Sequence, residues 1–65
     1  MKWEQFLGRE LTLTFLRMKD FSKEKVGILE KVHKIEGTTY LELDNGQFMF
    51  FVNTNQIVFF CISDD

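Results

Sequence analysis

The chain has no proline, one cysteine, one histidine, one tyrosine and four glycines among its 65 residues. With Cys61 as its single cysteine, it can form no disulfide within itself. One Cys and one His (His33) also fall short of the four nitrogen or sulfur ligands that a structural zinc site takes. No stretch approaches the roughly 18 uninterrupted apolar residues of a membrane span. No glycine pattern suited to cradling a phosphate is present. His33 has no Ser or Cys nucleophile in its sequence context, and Glu42 and Asp44, at i and i+2, read as solvated hairpin residues. Cys61, among bulky apolar neighbours, reads as a small buried hydrophobe. The expectation is a non-enzymatic chain with no catalytic residue, metal, cofactor or small-molecule substrate.

These absences matter because the chain is short. A domain of this size buries only about 60% of the surface exposed when it unfolds. Small domains compensate with disulfides, a metal or self-association. With the first two removed, a dense core, an oligomer, or both must supply the stability. Eight phenylalanines and an aromatic content of 15% provide apolar surface for either. The opening Met1-Lys2-Trp3-Glu4 lacks a signal-peptide pattern, which with a lone free Cys gives a cytoplasmic expectation.

The net charge of −2 is unevenly spread. Residues 1–16 balance. Residues 17–34 hold Arg17, Lys19, Lys23, Lys25, Lys31 and Lys34 against Asp20, Glu24 and Glu30. Beyond Lys34 the charges are all acidic: Glu36, Glu42, Asp44, Asp64 and Asp65. The six cations are the candidate nucleic-acid-binding set, with Phe21, Tyr40 or Trp3 for stacking. A whole-domain nucleic-acid binder is more often basic overall, so a solvated face is the favoured reading of this set. An acidic C-terminal half that mimics nucleic acid and occupies a basic partner is a further, weaker alternative.

The pattern predicts one mainly β domain: a short helix over residues 1–8, five strands within 9–62, and an acidic tail at 63–65. Trp3, Phe6 and Leu7 lie at i, i+3 and i+4, with Gly8 where a helix-ending glycine falls. From Arg9 to Met18 the period becomes two, with Leu11, Leu13 and Phe15 on one face and Glu10, Thr12 and Thr14 on the other. Lys19 to Lys25 reads as a loop. A second strand runs from Val26 to about His33, with Val26, Ile28 and Val32 on one side, interrupted by Glu30.

Asp44-Asn45-Gly46-Gln47 predicts a two-residue hairpin turn, since Asn-Gly tolerates the positive φ that a type I′ turn needs. Leu43 then opposes Phe48, Leu41 opposes Phe50, and Thr39 opposes Val52. A second tight turn at Thr54-Asn55 sets Val52 against Ile57, Phe50 against Phe59 and Phe48 against Cys61. The core face becomes Leu41, Leu43, Phe48, Phe50, Val52, Ile57, Phe59 and Cys61. The reverse face is also apolar: Tyr40, Met49, Phe51, Val58, Phe60 and Ile62. A sheet with one solvated face should alternate, so this patch needs a cover. Trp3, Phe6 and Leu7 are one candidate cover, and a protein partner or second copy is the other. Those six residues are the candidate protein interface.

A short helix followed by five strands resembles the Sm-like family, which includes the bacterial RNA chaperone Hfq. The matching residues are Phe6-Leu7-Gly8, then Leu11, Leu13 and Phe15, then Gly27-Ile28-Leu29 at the opening of a bent second strand. Leu41, Leu43, Phe48, Phe50 and the segment Ile57 to Ile62 follow in the family's order. The resemblance implies a strongly bent SH3/Sm-like small barrel able to form rings through the edges of strands four and five. It implies no RNA site. The family's Asp and Asn fall near His33 and Gly37, and its basic turn falls on Asn53-Thr54-Asn55. Its charged Tyr-Lys-His-type segment falls on Phe50-Phe51-Val52. The expected role is therefore self-association, or docking on a protein partner, through an apolar hairpin face. An Sm-like RNA-binding protein using the basic edge is the alternative.

Overall fold

Leu11, Leu13 and Phe15 alternate with Glu10, Thr12 and Thr14, and the first strand keeps that period: Leu11 and Leu13 are fully buried, with Phe15 packed beside them. A computed structural model describes residues 2–16 and 22–63. The chain is mainly β. A 3-10 turn at Trp3–Phe6 leads into β1 (Glu10–Leu16), β2 (Ser22–Ile35), β3 (Thr38–Asp44) and β4 (Met49–Asn53). A second 3-10 turn, Thr54–Gln56, carries the chain to β5 (Ile57–Ser63). The strands form one antiparallel sheet in the order β4-β3-β2-β1-β5. Its inner face holds the core: Leu11, Leu13, Leu29, Leu41 and Leu43, all fully buried, and Val52. Each such side chain contributes roughly 1.5–3 kcal/mol on burial.

The order of the strands dictates the shape. β4 and β5 lie at opposite ends of the sheet, yet only Thr54–Gln56 separates them in sequence. Four residue steps, from Asn53 to Ile57, reach at most about 14 Å when fully extended. Four inter-strand spacings in a flat sheet come to about 19 Å. The sheet must therefore roll, and the molecule measures 33 × 31 × 22 Å. The linking turn is fixed where it lies. Thr54 Oγ1 donates to the Thr39 carbonyl at 3.0 Å, and Asn53 Oδ1 accepts from the Asn55 N–H at 2.8 Å. Rolled though it is, the sheet is not a closed barrel, because among the described residues β4 and β5 each pair on one side only.

The expected β4–β5 hairpin is thus corrected: β5 pairs with β1. Leu13 faces Phe60 and Leu11 faces Ile62, while Thr14 faces Phe59 and Thr12 faces Cys61. The register shifts at Val58, where a bulge lets Ile57, Phe60 and Ile62 all pack against the core. Phe59 and Cys61, expected inside, face out. Phe60 and Ile62, expected on the reverse face, face in.

β2 is also longer than predicted and begins at Ser22, inside the expected loop; the start of that loop, Lys19–Phe21, lies outside the described residues, as do Arg17 and Met18 of the expected first strand and most of the acidic tail. A second bulge, at Glu30, lies between the Leu29–Leu43 and Lys31–Glu42 pairs. It explains the interruption seen in the sequence and reverses part of its reading. Leu29 is fully buried, Val32 packs on the core, and Val26 and Ile28 face out. Gly27 lies on the inner side, opposite Leu11. A methyl group there would meet Leu43 Cβ at 3.1 Å, the Asp44 carbonyl oxygen at 3.3 Å and Phe50 Cε1 at 3.4 Å. The missing side chain is what lets Leu43 and the Asp44 backbone of β3 approach this closely.

The turns exchange roles. The two-residue hairpin loop is Glu36-Gly37, between paired Ile35 and Thr38, with φ of +49° and +83°. The Asn45-Gly46 turn is wider: Asp44 faces Met49 and Leu43 faces Phe50, two residues away from the expected register. Asn45 Oδ1 accepts from the N–H groups of Gln47 (2.9 Å) and Phe48 (3.0 Å), and Asp44 Oδ1 accepts from Gly46 N–H (2.8 Å). These side-chain acceptors satisfy the turn without a type I′ backbone. A shift of two preserves which side chains share a face. Phe48, however, leaves the core and is 56% exposed.

The Glu36-Gly37 geometry yields a test by urea unfolding. A Cβ at Gly37 meets nothing within 4 Å, so only its left-handed backbone resists substitution. Gly37→Ala should lower stability by about 1–2 kcal/mol. Glu36→Asn should raise it, because Asn tolerates positive φ better than Glu.

Candidate protein interface at the open edges

An unpaired strand edge presents free N–H and C=O groups to any other strand, and proteins normally blunt it with Lys, Pro, a bulge or short length. From Gln47 to Ser63 this chain has no charged residue and no proline. That segment contains both edge strands. The devices that remain are the five-residue length of β4 and the Val58 bulge in β5.

The outer face adds apolar surface beside both edges. On β4, Met49 and Phe51 are 45% and 61% exposed; on β5, Val58 and Phe59 are 62% and 60% exposed. Tyr40 lies half-buried on the same outer side of β3, opposite Asn53. Of the six residues expected to form one interface, Tyr40, Met49 and Phe51 therefore lie together and Val58 lies at the far edge. Phe60 and Ile62 are part of the packing around the core. Phe59 was missed, because its outward facing depends on the bulge one residue earlier.

The expected N-terminal cover is present, but it covers the inside. Trp3 and Phe6 pack against Phe60, with ring centroids 4.9 Å and 5.6 Å away. Gly8 N–H donates to the Leu29 carbonyl at 2.8 Å, and Leu29 N–H donates to the Arg9 carbonyl at 3.0 Å, which joins the turn to β2. Lys34 Nζ lies 3.4 Å from Glu4 Oε2. The Glu4 carboxyl is held below its ordinary range, chiefly by a hydrogen bond from its own backbone and secondarily by Lys34. Leu7 stays exposed.

On the outer face of β2–β4, His33, Glu42 and Phe51 form one cluster. His33 Nε2 lies 2.9 Å from Glu42 Oε1, and the His33 ring stacks on Phe51 with centroids 5.2 Å apart and planes 19° apart. Glu42 faces Phe51 across β3–β4 and Lys31 across β2–β3.

The candidate basic set does not form one patch among the described residues. Arg17 and Lys19 lie outside them, and Lys23 is described by its backbone alone. Lys25 lies on the inner side opposite Leu13, its Nζ 5.6 Å from the centre of the Phe50 ring. Lys31 is on the outer face, and Lys34 turns to Glu4. No group of three or more metal-ligating side chains occurs among the described residues, and no described helix is long and apolar enough to cross a membrane.

Family models, curated proteins and solved structures give no match to this chain. The reading of the edges therefore stands on their geometry.

The inward and outward residues of β5 respond oppositely to charge. Phe60→Asp places a carboxylate against Trp3, Phe6 and Leu13 and should lower stability by several kcal/mol. Phe59→Asp lies on the solvent side and should change it by no more than about 0.5 kcal/mol. Thermal unfolding of the two variants under conditions that keep the chain dilute separates them.

Proposed function

We propose that the chain is a non-enzymatic interaction module, an SH3/Sm-like small barrel left open between β4 and β5, that self-associates by joining β4 of one copy to β5 of the next. The carrying observation is the pair of open edges, both free of charge and proline, at opposite ends of one sheet. The Sm-like reading draws support from a short N-terminal turn followed by five strands, a long bulged second strand, and Gly27 where β3 approaches that strand closely. A cytoplasmic setting suits the exposed thiol of Cys61.

Two different edges make a heterologous contact, which propagates until a ring closes or a filament grows. Continuing the sheet keeps its faces aligned, so Met49 and Phe51 of one copy come beside Val58 and Phe59 of the next. Already about half covered, these four large side chains contribute at most about 5 kcal/mol more when buried. Association costs about 4–15 kcal/mol, so apolar burial alone does not decide the outcome. The strand-to-strand hydrogen bonds tip the balance, and the assembly should be visible at micromolar concentration.

Sedimentation velocity tests this directly. Wild type should assemble, and Phe51→Asp or Phe59→Asp should each remain folded but monomeric. Mixing the two variants should then restore a dimer and nothing larger, since one retains β5 and the other retains β4. A wild type that stays monomeric at the highest attainable concentration would refute the proposal, as would a mixture that fails to pair.

A further inference from the structure

We infer that His33 is a positioning residue for self-association, holding the Phe51 ring flat on the outer face as a preformed anchor for a second copy. This rests on the edge-to-edge reading above and assigns a role to the polar cluster on the outer face that this reading leaves unexplained. Phe51 is 61% exposed on an edge strand, where a phenylalanine ordinarily exchanges rotamers in solvent. Here its ring is stacked on His33, 5.2 Å away and within 19° of parallel. The imidazole is held in turn: its Nε2 lies 2.9 Å from Glu42 Oε1, with side-chain exposures of 32% and 16%. Glu42 itself faces Phe51 in the β3–β4 register, so the three side chains brace one another across three strands. Lys31 faces Glu42 and Tyr40 faces His33, which fills the remaining neighbours on β2 and β3.

The occupant is a second copy because of where the anchor points. Among the described residues β4 is unpaired on its outer side, and a strand added there brings side chains beside Phe51 on the same face. β5 of another copy brings Val58 and Phe59, both exposed and both uncharged. An aromatic ring already ordered loses less freedom when it is covered, and this preorganisation strengthens association without adding a contact.

The experiment uses the full chain with two variants and two readouts. His33→Ala removes the stack and the Glu42 contact. It should weaken the self-association constant roughly fivefold by sedimentation, with the thermal midpoint of the dilute chain little changed. His33→Phe keeps the stack without the Glu42 contact and should recover most of the wild-type constant. In the dilute monomer, side-chain couplings should show one Phe51 rotamer in wild type and averaging in His33→Ala. A wild-type constant in His33→Ala overturns the positioning role alone, as does a His33→Phe variant no better than Ala. Rotamer averaging of Phe51 in wild type overturns it too. A monomeric wild type overturns the self-association reading and this inference with it.

Discussion

Four residue steps between Asn53 and Ile57 constrain the rest of the sheet. They are too few to bridge five strands laid flat, so β4 and β5 can occupy opposite ends only if the strands between them curl. The curl gives the inner face its enclosure, which five fully buried leucines fill. It also sets the conditions for the two bulges. At Glu30 and Val58 one extra residue turns the strand and returns Val32 and Ile57 to the inside. Gly27 belongs to the same requirement, since a side chain there would crowd Leu43 and the Asp44 carbonyl on the neighbouring strand.

Among the described residues, the same roll leaves β4 and β5 each paired on one side only. Charge is the usual protection for such edges, and the sequence concentrates its charge elsewhere. Every Lys and Arg precedes Ile35, and Gln47 to Ser63 has neither sign. Lack of charge there weakens the barrier to adding a strand, and the exposed Met49, Phe51, Val58 and Phe59 add an apolar incentive. The proposed self-association would also answer the problem of size. A chain with no disulfide has few other routes to stability beyond its small core.

Much of this was legible in the residues. The alternation of β1, the facing of Leu41, Leu43 and Val52 and the number of strands follow from periodicity, whereas the helix expected over residues 1–8 is only a 3-10 turn at Trp3–Phe6 that leaves Leu7 exposed. The β3–β4 register was misread by two, which is harmless to facing, because Asn45 and Asp44 satisfy the turn through their side chains instead of a type I′ backbone. The more serious error was pairing β5 with its sequence neighbour. Adjacent strands usually do pair, and nothing in Asn53-Thr54-Asn55-Gln56 distinguishes a hairpin from a crossover. That choice, together with an unseen bulge at Val58, exchanged the inner and outer residues of β5. Residues 57–62 are apolar without a break, so periodicity alone could not mark which of them face in. The His33–Glu42–Phe51 cluster was beyond reach, because it needs the register of three strands at once.

The account depends most on the two edges being open in one chain and joined between chains. Residue-resolved amide hydrogen exchange at low and high protein concentration examines both halves together. Amides of β4 and β5 without a partner inside the chain should exchange fast when dilute and become protected when concentrated, while those of β2 stay protected throughout. Protection of the same β4 and β5 amides at every concentration would mean that the two strands pair within one chain. That result would contradict the account.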